Sequence, residues 1–240
     1  TVCAQGGIDA LVASMRRHLQ SASVQSASLG ALWNLSVDAE HRGSIAGGRG
    51  MGGIKAVMQS LMSHPANEKV QWKGCGLLFN LSIDGVMKTA IVSSGGLGHL
   101  KSLAELHRGS GRVMSVGFGV LWHLSVDGEI RKSIAAEGGV RVVIDGLRSY
   151  PESANVQTTC CGTLWNLALD YACLQAILSA QGVRLLVNAL RTHAGSVEVQ
   201  AAGCGALWSL SADESARASI QKEGGTRALL AALQQHHGSK

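Results

Sequence analysis

Asn34, Asn80 and Asn166 occupy one recurring place in this sequence, each between an aromatic residue and a leucine. His123 and Ser209 hold the same place beside Trp122 and Trp208. A carboxamide carries an acceptor oxygen and two N–H donors, so it can pair with both the N–H and the C=O of an extended peptide. A row of such side chains would fix a peptide backbone without reading its sequence. The neighbouring indoles of Trp33, Trp122, Trp165 and Trp208 offer faces for aliphatic or cationic side chains. Enzyme chemistry has little footing: there is no Gly-rich phosphate loop, no His-x-x-x-His or Cys-x-x-Cys pair and no Ser elbow. His123 is one variant of a repeated position and His236-His237 are terminal. The expectation is a non-catalytic chain with no metal or cofactor.

These residues belong to a longer motif, Gly30-Ala31-Leu32-Trp33-Asn34-Leu35-Ser36-Val37-Asp38, which returns four times. Its aromatic positions 33, 79, 122, 165 and 208 are separated by 46, 43, 43 and 43 residues. A fixed period of this size marks a solenoid, in which each unit packs only on its neighbours. Glycine pairs divide the chain into units 6–51, 52–94, 95–137, 138–180 and 181–223, with a partial unit 224–240, read as one array over 1–240. The extra residues of the first unit fall in Gly47-Gly48-Arg49-Gly50, a natural place for a loop insertion.

Three helical pieces position the motif in each unit. A short one follows the repeated Asp and carries Ile45, Ile91, Ile134, Ile177 or Ile220, and a Gly pair ends it. The next shows apolar residues at i, i+3, i+4 and i+7, as in Val183, Leu186, Val187 and Leu190. In the third unit Lys101 and Ala104 take two of these places, which makes its packing less regular. Both prolines, Pro65 and Pro151, fall in the loop that follows. The longest helix then runs from about Val24, Val70, Val113, Val156 and Val199 through the motif. Asp38, Asp84, Asp127, Asp170 and Asp213 suit N-caps of the next short helix, with an acidic row on a groove rim as the alternative.

On a wheel of about 100° per residue, with the Asn position at zero, the motif leucines two before it lie near 160° and face the core. The Asn row therefore points outward. Lys73 lies at about +20° and Trp72 near −80°, which adds both to that outer face. Gly30, Gly76, Gly119, Gly162 and Gly205 sit only about 40° from the row. Glycine inside a helix costs about 1 kcal/mol against alanine, so the repetition needs a reason. Either a neighbouring ring lies down there or a ligand approaches the bare backbone.

Three helices per unit, with Ala-Leu-Trp-Asn-Leu-Ser, an upstream Val-Gln and a downstream Ile-x-x-x-Gly-Gly, resemble the armadillo repeat family over nearly the whole chain. HEAT repeats, with two helices and a proline-bent first one, fit less well. The resemblance implies an all-α right-handed superhelical solenoid whose third helices line a groove. It also implies, by similarity to importin-α and β-catenin, that Asn34, Asn80 and Asn166 clamp a peptide backbone. His123 and Ser209 interrupt that row. The aromatic residue next to the Asn is similar to the armadillo region of the adenomatous polyposis coli protein.

Composition sets the outer limits. With 46% hydrophobic and 15% charged residues the chain can bury a core and is too apolar to be disordered. A net charge of +5 without a long Lys/Arg run argues against nucleic acid as the partner. No apolar run approaches a membrane span and no signal peptide is evident, which favours a cytoplasmic chain. Cys75, Cys161 and Cys204 share a repeat position, behaviour expected of small buried residues with reduced thiols. The basic rows Lys55, Arg141, Arg184, Arg227 and Arg42, Lys88, Arg131, Arg217 read as solvated outer surface, leaving the groove close to neutral with Lys73 as its basic candidate. Thr1–Gln5 reads as the tail of an earlier helix, and Leu229, Leu230 and Leu233 lack a third helix to pack on, which suggests a fragment of a larger protein. The leading expectation is a protein-interaction module that binds an extended peptide. The alternative is an assembly scaffold acting through its outer surface or its ends, with end-to-end self-association through those leucines.

Overall fold

The computed structural model describes residues 6–47 and 52–235. The expected helix tail at Thr1–Gln5, most of the glycine-rich insertion and His236-His237 lie outside the described residues. Among the described residues there are sixteen helices and no strand. Their contacts fall into two compact units divided between Leu124 and Ser125. The first holds α1 (Gly7–Arg17), α2 (Ala22–Leu35), α3 (Ala39–Ala46), α4 (Gly52–Ser63), α5 (Glu68–Leu81), α6 (Gly85–Ser93), α7 (Gly96–Leu106) and α8 (Gly111–Leu124). The second holds α9 (Gly128–Ala136), α10 (Gly139–Ser149), α11 (Ala154–Leu167), α12 (Tyr171–Ser179), α13 (Gly182–Thr192), α14 (Val197–Leu210), α15 (Glu214–Lys222) and α16 (Gly225–Gln235). No single helix is long and apolar enough to cross a membrane among the described residues.

The short–medium–long order repeats as the glycine punctuation requires. Gly6, Gly47, Gly95, Gly138 and Gly224 all have positive φ, and Gln181 fills the equivalent place at φ 61. The glycine after each turn meets a different demand. A Cβ at Gly96, Gly139, Gly182 or Gly225 would press on both the side chain and the carbonyl of the shared isoleucine, Ile91, Ile134, Ile177 or Ile220. Those isoleucines are buried, so the glycine lets the medium helix close on the core.

Polar caps repeat with the same period. Ser21, Asn67, Ser110, Ser153 and Ser196 each accept the N–H of a valine three residues on, starting the long helices. The long helices begin about a turn's half earlier than the valine pattern alone suggests, because these caps precede it. Asp84, Asp127, Asp170 and Asp213 cap the short helices as expected. Asp38 makes no cap bond and lies 3.8 Å from His41 Nδ1. Buried Gln25, Gln71, Gln157 and Gln200 each donate to two carbonyls at the end of the preceding medium helix. The thiols of Cys75, Cys160, Cys161, Cys173 and Cys204 are free, and burial pushes Cys75 and Cys161 up to about 12.

The basic row of the short helices is partly drawn onto the protein, with Arg42, Lys88 and Arg131 half-buried and Arg217 exposed. Arg42, Arg131 and Arg217 each donate to two carbonyls at the end of the long helix before them. A guanidinium there satisfies carbonyls that no helical N–H reaches.

The third-helix face as candidate functional site

Long helices pack on one another within each unit, α2 on α5 and α5 on α8 in the first, α11 on α14 in the second. Their outer faces carry the Asn-position residues. Asn34 is exposed, while Asn80, His123, Asn166 and Ser209 are half-buried.

The row is joined by hydrogen bonds from one repeat to the next. Asn80 donates its amide to Ser36 Oγ at 2.9 Å. Asn166 does the same to Ser125 Oγ at 3.1 Å. Ser36 in turn donates to the Trp33 carbonyl at 2.6 Å, so its hydroxyl is oriented to accept. His123 Nδ1 lies 3.0 Å from Ser82 Oγ and 3.1 Å from the Phe79 carbonyl. A carbonyl only accepts, so Nδ1 carries the proton. Burial lowers the His123 pKa, against the Phe79 bond that raises it, and Lys88 lowers it further. The imidazole also stacks on Phe79, with centroids 4.2 Å apart. One rung is missing. Ala168 stands where the other repeats have Ser36, Ser82, Ser125 and Ser211, and Ser209, which would reach it, is the short member of the Asn row.

The aromatic row resolves the glycine question where contacts are described. The Trp33 ring lies against Gly76 so closely that a Cβ there would overlap it, and a Cβ at Gly205 would stand 2.5 Å from the Trp165 ring. At these two positions the glycine seats the preceding repeat's indole rather than leaving backbone bare for a ligand. Trp122 is half-buried and Trp208 is 73% exposed.

The first unit adds a cluster. Trp72 meets Trp33 edge-on, with centroids 5.0 Å apart and an interplanar angle of 85°. The Arg112 guanidinium lies over the Trp72 ring at 3.2 Å from its centroid. Lys73 reaches across Gly30 and donates to the Ser26 carbonyl at 3.0 Å. Lys69 and Arg112 are exposed on the first turns of α5 and α8. The face of the first unit thus sets Lys69, Lys73 and Arg112 beside its indoles, with exposed Glu68 on the same turn as Lys69 accepting from Ser110 Oγ at 2.8 Å. Arg112 escapes a sequence reading centred on the motif because it lies eleven residues before His123, three helical turns away on the same side.

Another set of contacts recurs with the repeat period. His64 Nε2 lies 2.7 Å from the Leu19 carbonyl, His107 Nε2 2.7 Å from that of Pro65, and His193 Nε2 2.7 Å from that of Pro151. Each ties the end of a medium helix to the loop of the repeat before. Among the described residues no group of three or more His, Cys, Asp or Glu converges to hold a metal ion.

No family model matches the chain, and no curated protein matches it. Solved structures do. An engineered protein is 24% identical at a TM-score of 0.80, over 94% of this chain and 88% of that one. A second engineered protein is 25% identical at 0.80, over 98% of this chain and 57% of that one. A chain from a study of a phosphorylation switch in the cadherin–β-catenin interaction is 19% identical at 0.57, over 97% of this chain and 51% of that one. The fold is that of an all-helical repeat protein.

Proposed function

We propose that the chain is a non-catalytic armadillo-type interaction module that binds an extended peptide across its third helices. The observation that carries this reading is the Trp33–Trp72–Arg112 cluster beside Lys73, set on the same helices as the Asn row. Indole edges and faces suit apolar side chains, and the cations favour a carboxylate-bearing segment. Asn34 keeps its whole carboxamide for a ligand, and Asn80 commits one amide proton to Ser36 while its oxygen remains for a peptide N–H. In the second unit Trp208 and Asn166 extend the same chemistry. A peptide-display selection against the purified chain supplies the ligand. Trp72→Ala with Arg112→Ala should then weaken the selected peptide about tenfold or more, and unchanged affinity would remove this site from consideration.

A second reading, assembly through the end of α16, rests on Leu230 at 56% and Leu233 at 67% exposure. Concentration-dependent self-association that disappears in Leu230→Ser with Leu233→Ser would favour it.

A further inference from the structure

Six of the twelve exposed large apolar side chains among the described residues gather in one kind of place, the turn between a long helix and the short helix after it together with the first residues of that short helix. Val37, Ile83, Val126 and Leu169 share a single repeat position, three residues beyond the Asn row, at 73%, 55%, 57% and 63% exposure. Val86 at 66% and Tyr171 at 72% stand just past it. One exposed aliphatic residue needs no explanation, but the same exposure four times at one period is a surface that internal packing does not use. The first unit presents Val37, Ile83 and Val86, and the second Val126, Leu169 and Tyr171.

Carboxylates flank both segments. Asp38, Glu40, Asp84, Asp127 and Glu129 are exposed and Asp170 is half-buried. The cations of the same turns are drawn back. Arg42 and Arg131 are half-buried and donate to long-helix carbonyls, Lys88 is half-buried, and Lys132 pairs with Glu129 at 2.7 Å. His41 sits by Asp38. Spacing points to the shape of the occupant. Packed helices stand about 8–10 Å apart, which separates successive apolar positions by a similar amount. Two turns of an α-helix advance about 10.5 Å, whereas same-side residues of a strand recur every ~7 Å.

We infer that this edge, taken on each unit by itself and distinct from the third-helix face, is a docking surface for a basic amphipathic helix of a partner protein, with apolar residues at i and i+7 meeting the two successive repeats of that unit. The 240-residue chain is titrated against a fluorescent leucine–lysine amphipathic peptide of about 20 residues, long enough to be helical. A twin peptide with glutamate for lysine serves as the comparison. The lysine peptide should bind, and the glutamate twin about tenfold or more weaker. Val37→Ser and Ile83→Ser combined with Val126→Ser and Leu169→Ser should weaken the lysine peptide by about tenfold with Tm unchanged. Should that variant lose Tm, Glu40→Gln with Glu129→Gln reads the same edge without touching its apolar row, and should also weaken binding. Equal binding of the two peptides, or undiminished binding by the variants, overturns the proposal. So does sedimentation showing that wild type dimerises and the serine variant does not, since the edge would then be covered by a second copy.

Discussion

Asn80 Nδ2 donates to Ser36 Oγ at 2.9 Å, joining two consecutive long helices at the level of the motif. The residue that resemblance assigns to a ligand therefore also holds the repeats together. The two roles are compatible, because the bond engages one of the four hydrogen-bonding sites of the carboxamide. They change what its removal does. Asn80→Ala should cost about 1 kcal/mol of stability in urea unfolding, with or without a ligand. A double-mutant cycle with Ser36→Ala should return a coupling of about 0.5–1.5 kcal/mol, and additive effects would show that the bond contributes nothing.

The gap in this ladder makes a converse prediction. Ala168 and Ser209 depart together, so neither can form the rung alone. Ala168→Ser with Ser209→Asn should restore it and raise stability by about 0.5–1.5 kcal/mol, while each change alone gives no gain. The midpoints of four urea curves decide it.

Glycines on the long helices should divide by what lies on them. At Gly76 and Gly205 a methyl group meets a seated indole. Overpacking of about 1–3 kcal/mol then outweighs the ~1 kcal/mol of helix propensity that alanine brings. Gly76→Ala and Gly205→Ala should lower Tm, and Trp33→Ala should remove most of the penalty at Gly76. Gly30 differs, since the nearest atoms are Nζ, Cδ and Cε of Lys73 at 3.2–3.3 Å, the far end of a flexible chain. Gly30→Ala should be neutral or stabilising.

The reach of the sequence follows from this contrast. The period, three helices per repeat, four of the five Asp caps and the outward Asn row are local properties of the repeat unit and were legible, while Asp38 makes no cap bond. What one unit's helical wheel cannot show is which residue of the next unit lies on it. Whether Gly76 faced Trp33 or a ligand was undecidable for that reason. The same limit hid the bonds from Asn80 to Ser36 and from His107 to the Pro65 carbonyl. Arg112 and the exposed row at Val37, Ile83, Val126 and Leu169 were present in the register, but Arg112 lies outside the motif and the apolar row stands beyond the helical wheel that orients the Asn position.

His99 supplies a pH test of the core itself. It is 8% exposed in α7, and its Nε2 is buried with no hydrogen-bond partner. Burial, with a smaller contribution from His107, pulls its pKa from 6.5 down to about 4. Between these values the unfolded chain binds a proton that the folded chain resists. Stability should therefore be fully present above pH ~6.5, fall as the pH drops towards ~4, and lose up to about 3 kcal/mol from this group. The equivalent residues of the neighbouring repeats are Ala56, Val142 and Leu185. His99→Val removes the titrating group with a side chain the fold already accepts there. Its unfolding free energy should be flatter with pH between 6.5 and 4 than that of the wild type. Parallel slopes for the two proteins in that window would assign the acid sensitivity elsewhere.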